Sequence, residues 1–90
     1  MTHVIHNEAE HRFEIALDDG ASAFADYRLE EGTIIFPHTV VPRAYEGRGL
    51  ASALAKESLD WARAQGLKVV PACSFYRTYL QRHPEYGDLL

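Results

Sequence analysis

The sequence predicts a mixed α/β domain with elements in the order β-β-β-α-β-α. Three observations carry this. Between residues 11 and 41 apolar and polar residues alternate with period two, interrupted by Asp19-Gly20 and Glu31-Gly32, the marks of strands joined by tight turns. From Gly49 to Gln65 the period becomes that of an amphipathic helix. A short apolar run rich in valine follows, and the strand–helix–strand passage is long enough for a right-handed crossover. Two hairpins give three antiparallel strands, and the crossover helix adds one parallel strand.

Residues 1–10 are polar, rich in His and Glu, and show no clear period; they read as a flexible lead-in to a single domain over 11–90. From His11, Phe13, Ile15 and Leu17 alternate with Arg12, Glu14 and Asp18, the pattern of a half-buried strand. The next strand, Ala21 to Glu30, has Ala21, Ala23, Ala25, Tyr27 and Leu29 on one face and Asp26, Arg28 and Glu30 on the other. The strand Thr33 to Val41 is apolar on both faces, which predicts a central strand covered on both sides. Pro37 inside it forfeits a ladder donor and predicts a bulge or an unpaired edge. His38, in register with Ile34, Phe36 and Val40, is expected on an apolar face.

The loop Pro42–Gly49 leads into a helix over 49–65, which buries Leu50, Ala51, Leu54, Ser58, Trp61 and Ala62 and ends at Gly66. Leu67 to Cys73 reads as a short strand. Ser74 is a candidate N-cap for a second helix, Phe75 to Arg82, stopped by His83-Pro84. Beyond it Tyr86, with Arg77 and Arg82, reads as the solvated end of that helix.

Hydrophobic residues make up 47% and charged residues 24%, which excludes a disordered chain. Nine Lys and Arg against 13 Asp and Glu leave a net charge of −4, a field that repels nucleic acid and anionic membrane. One Cys forms no intramolecular disulfide and suits a reducing, cytoplasmic setting; no leader-like or membrane-spanning run is seen. The His and Cys residues lack metal-ligand spacing, so no metal is expected, and no Gly-x-Ser-x-Gly elbow marks a hydrolase.

Gly47-Arg48-Gly49 lies after a strand and opens a helix. A helix start offers unpaired N–H donors and about half a positive charge, and glycines let a phosphate approach the backbone. Arg43 and Arg48 add local positive charge. The segment is not a nucleoside-triphosphate P-loop, and Ser52 stands where a dinucleotide fold needs its third glycine. A tight strand-to-helix turn and an anion cradle both satisfy the residues alone.

Glu46-Gly47-Arg48-Gly49-Leu50-Ala51, after Val40-Val41-Pro42, resembles the coenzyme A signature Gln/Arg-x-x-Gly-x-Gly/Ala of the GNAT acetyltransferase superfamily, with Glu46 in place of the usual Gln or Arg. His38-Thr39-Val40-Val41-Pro42, Val70-Pro71-Ala72-Cys73-Ser74-Phe75, Tyr79 and His83-Pro84-Glu85-Tyr86 extend the likeness to its short single-domain YjdJ-type branch. The resemblance implies a minimal GNAT-like fold that binds acetyl-CoA where two strands splay. Val40 and Val41 would meet the pantetheine, and Glu46, Gly47, Arg48, Gly49, Leu50 and Ala51 the diphosphate, with Tyr76 a further coenzyme contact. It also implies an N-acetyltransferase working on an amine, small molecule or protein, or else a non-catalytic coenzyme A or acyl-CoA binding module. Acetyl-CoA and the amine are the expected partners of a monomer or weak dimer.

Acetyl transfer needs a deprotonated amine, a stabilised oxyanion and a proton for the departing thiolate. The candidates are Cys73 as acid or acyl-accepting nucleophile, Tyr76 or Tyr79 as acid from one helix face, and His38 as base or partner of Cys73. The same residues have structural readings: Cys73 as a small apolar filler and His38 as a satisfied core histidine.

Overall fold

The computed structural model describes residues 3–90, so the first two residues of the lead-in lie outside it. Five strands, β1 (Ile5–Asn7), β2 (Arg12–Ala16), β3 (Ser22–Glu30), β4 (Thr33–Val40) and β5 (Lys68–Val70), form one sheet in that same spatial order. Neighbours are antiparallel except β4 and β5, which are parallel. Helix α1 (Leu50–Ala64) makes the crossover, and α2 (Ser74–Arg82) follows β5.

The core lies between the sheet and the two helices. From α1, Leu50, Leu54, Ala55, Leu59 and Ala62 pack on a sheet face built from Phe13, Ile15, Ala23, Ala25, Tyr27, Ile34, Phe36 and Val69. The Tyr76 ring of α2 stacks on Phe36 at 4.3 Å. Both helices therefore cover the same face. The other face, carrying Arg12, Glu14, Phe24, Asp26 and His38, has no helix over it, so β4 is covered on one side rather than two.

Residues 5–7 of the lead-in form β1, pairing His6 with Phe13 and Asn7 with Arg12. Three residues are too few for a period to show; side-chain chemistry orders them instead. The His6 ring stacks on Phe13 at 4.1 Å, meets Trp61 edge-on at 4.6 Å, and its Nε2 lies 2.6 Å from the Tyr27 hydroxyl. Two boundaries also differ. Cys73, not Ser74, is the N-cap of α2, and no side chain caps it. Past His83, Pro84–Leu89 is a 3₁₀ helix that buries Tyr86 and Leu89. The Tyr86 hydroxyl donates to the Asp60 carboxylate at 2.7 Å, so this residue anchors the C-terminal segment on α1.

The feature that shapes the site is in β4. Asp26 pairs with His38 and Arg28 with Ile35, so β4 runs three steps while β3 runs two. The extra residue is the bulge that Pro37 predicted. A bulge shifts the alternation by one. Ile34 and Phe36 face the helices before it; Thr39 and Val41 turn inward after it. His38 and Val40 are thereby thrown to the uncovered face, and both are exposed. The expectation that His38 shares a face with Phe36 fails because it assumed unbroken alternation through the proline.

Candidate functional site

The parallel pairing of β4 and β5 stops at Ile35 and Val70. Beyond this point β5 gives way to Pro71, while β4 continues to Val40 with no strand on that side. The Cys73 N–H donates to the Phe36 carbonyl at 2.8 Å and closes the inner end of the gap. The gap opens as a cleft of about 550 Å³ between Thr39–Val41, the loop through Tyr45, Glu46, Gly47 and Gly49, the first turn of α1 and Phe75. That size lies within the range of small-ligand sites, roughly 300–1,000 Å³.

One wall of the cleft is the start of α1. Its N-cap is Gly49, with φ of 77° and no side chain capping it. The first intrahelical bond runs from the Ala53 N–H to the Gly49 carbonyl, so the N–H groups of the first turn have no partner within the helix. Gly47 has φ of 82°, and a Cβ at either glycine would meet nothing within 4 Å. These positions need glycine for backbone conformation, and the space over them is open. Leu50, Ala51 and Ser52 line the same wall. An uncapped helix start with a clear approach suits an anionic group such as a diphosphate; the open edge of β4 suits a chain that hydrogen-bonds along it.

Of the residues expected to hold the coenzyme, Val40, Val41, Glu46, Gly47, Gly49, Leu50 and Ala51 line the cleft. Arg48 does not. Its guanidinium lies 4.8 Å over the Tyr45 ring and lines a second cavity of about 420 Å³ behind that ring, against His3, Ile15 and Asp18. Tyr76 does not line the cleft either, being fully buried. Ser58 Oγ donates to the Ala55 carbonyl at 3.0 Å and lies 2.7 Å from the Tyr76 oxygen, so the Tyr76 hydroxyl donates to Ser58. Burial pushes its acidity far from physiological pH.

Tyr79 shares that helix face and is also buried, stacked on His83 at 3.9 Å. Burial raises its pKa, and the nearby Lys56 charge opposes the rise. The i, i+3 spacing does put both tyrosines on one face, but it is the face packed on the core, which keeps them out of the cleft. Cys73 is half-buried, and its thiol donates to Thr39 Oγ1 at 3.5 Å, directly behind a lining residue. The Arg77 guanidinium donates to the Ala72 and Pro71 carbonyls at 2.8 and 3.2 Å and braces the link that carries this thiol.

Sequence reasoning missed Thr39, Tyr45, Ser52 and Phe75 as lining residues. Thr39 and Phe75 each adjoin a residue it had selected; the bulge and the helix phase decide which neighbour faces the cleft. It also missed Asp26. This carboxylate accepts the His38 backbone N–H on Oδ1 and pairs with His38 Nδ1 through Oδ2, each at 3.0 Å.

A mixed α/β sheet splayed beside an uncapped, glycine-opened helix is a GNAT-like fold. The family described as GCN5-related N-acetyl-transferase matches residues 12–89, and the chain belongs to it. Among curated proteins, NATD1 of Mus musculus is 32% identical over 84 residues, covering 90% of this chain and 76% of that protein. NATD1 of Danio rerio is 32% identical over 88 residues, covering 92% and 79%. A GCN5-like protein from Staphylococcus aureus, solved by NMR in solution, superposes with a TM-score of 0.72 at 26% identity, over 97% of this chain and 85% of that one.

Proposed function

We propose that the protein is an acetyl-CoA-dependent N-acetyltransferase of the cytoplasm. The observation that carries this reading is the uncapped start of α1, with Gly47 and Gly49 at positive φ, opening onto the splay of β4 from β5. The first-turn amides of α1 would hold the diphosphate, and the edge of Thr39–Val41 the pantetheine arm. Bound acetyl-CoA supplies an activated thioester. Thr39 and Cys73, at the closed end of the gap, would face that thioester. There the Cys73 S–H stands as the proton source for the departing thiolate. The buried Tyr76 and Tyr79 are left to the core.

A second reading, a coenzyme A or acyl-CoA binding module without catalysis, is favoured by one observation. Among the described residues, Glu46 is the sole carboxylate lining the cleft, and no histidine lines it. Calorimetric titration with acetyl-CoA tests both readings, which fall together if millimolar ligand does not bind. Release of free thiol from acetyl-CoA with a panel of amines and lysine peptides separates them. Turnover is the result expected of the enzyme, and tight binding without turnover the result expected of the module.

A further inference from the structure

We infer that His38 is the general base for the acceptor amine, that Asp26 positions it, and that the amine enters from the uncovered face of the sheet. This rests on the acetyltransferase reading and supplies the group that the cleft lacks. The bulge at Pro37 frees the His38 N–H from the ladder, and Asp26 takes it on Oδ1 while Oδ2 meets Nδ1, both at 3.0 Å. One carboxylate thus fixes backbone and ring together, and Nδ1 donating to Oδ2 leaves the Nε2 lone pair free. The pair sits on the face that neither helix covers, where the His38 side chain is 68% exposed and that of Asp26 34%.

Val40, two residues on and on that same face, lines the cleft, so the gap reaches this side of the sheet. Thioester and base then stand on either side of one strand edge: Thr39 with Cys73 inward, His38 outward. On that face, Arg12 lies opposite Asp26 on β2, with its Nε held by Glu14 at 2.7 Å.

The step balances as follows. An ammonium R–NH3+ gives one proton to His38 Nε2, which returns it to solvent. The amine nitrogen then bonds to the thioester carbon and the C–S bond breaks. The second proton of the nitrogen passes to Nε2 while the Cys73 S–H gives one to the coenzyme thiolate, and Nε2 then hands its proton through solvent to the Cys73 thiolate, which resets both groups. The products are R–NH–CO–CH3, coenzyme A thiol and one released H+.

The test uses the full chain with His38→Gln, Asp26→Asn and Asp26→Glu, acetyl-CoA, and a lysine peptide. All three variants are expected to bind acetyl-CoA within about 2-fold of the parent, because neither residue lines the cleft. His38→Gln should lose 10²-fold or more in kcat, together with the acid limb of its pH profile. Asp26→Asn should lose about 10-fold in kcat with KM for acetyl-CoA unchanged, and Asp26→Glu should regain part of it. Imidazole ¹⁵N spectra of the parent, which need no turnover, should show the Nδ1–H tautomer at His38, mixed in Asp26→Asn. A parent with the Nε2–H tautomer, or kcat kept by His38→Gln, overturns the inference while leaving the acetyltransferase reading intact. Absent acetyl-CoA binding in the parent overturns both.

Discussion

The two halves of β4 differ in partners, orientation and exposure. Thr33–Ile35 is flanked by strands on both sides, and Ile34 and the adjoining Phe36 insert into the core, both fully buried. Pro37–Val40 has a partner on one side only, is turned over by the bulge, and exposes His38 and Val40. Eight consecutive residues thus hold the fold at one end and frame the cleft at the other. Stability and binding are separable here because a proline divides them.

Phe36→Ala attacks the buried half and should have the largest effect. Losing a ring stacked on Tyr76 costs about 3–5 kcal/mol, a large share of the ~5–15 kcal/mol typical of a whole domain. Urea unfolding should show the midpoint collapse. Gly49→Val attacks the cleft instead. Forcing a β-branched residue into the left-handed region costs ~1–2 kcal/mol, and acetyl-CoA affinity should fall 10-fold or more by calorimetry. An unchanged affinity would mean that the helix start does not hold the ligand.

Acid probes the stability of the buried half through His6, whose Tyr27 partner abuts Phe36. Burial lowers the His6 pKa, with Glu8 opposing. The unfolded chain therefore binds its proton first: the contribution is complete above the ordinary value near 6.5 and shrinks as pH falls below it. Melting temperature should drop between pH 7.5 and 5.5, and less steeply in His6→Phe. Lys56→Ala, on the exposed side of α1, removes a surface pair with Asp60 at 2.8 Å. It should leave both the urea midpoint and the acetyl-CoA affinity unchanged, as for most exposed pairs.

Element order was legible in the sequence because each long element has a period, and the bulge was legible because proline has no donor. Its consequence was not. Reading Ile34, Phe36, His38 and Val40 as one face required pairing information that only the Asp26–His38 register supplies. β1 escaped because its order comes from aromatic contacts across 21 residues in the His6–Tyr27 pair and more to Trp61. At the site, the glycines were legible because positive φ and helix start are local properties. Tyr76 misled because a hydroxyl looks equally polar whether it meets a ligand or, as here, a buried Ser58. Asp26 stayed hidden because nothing in its own segment distinguishes it.

The strands stand side by side in the order in which the chain is made. During synthesis each hairpin can therefore dock on the one before it, without waiting for distant sequence or opening a finished sheet. The cleft matures last: its inner end closes only when Cys73, past β5, reaches the Phe36 carbonyl, and Phe75 follows. A nascent chain halted before Lys68 would display a growing edge at β4 where the finished protein has a doorway.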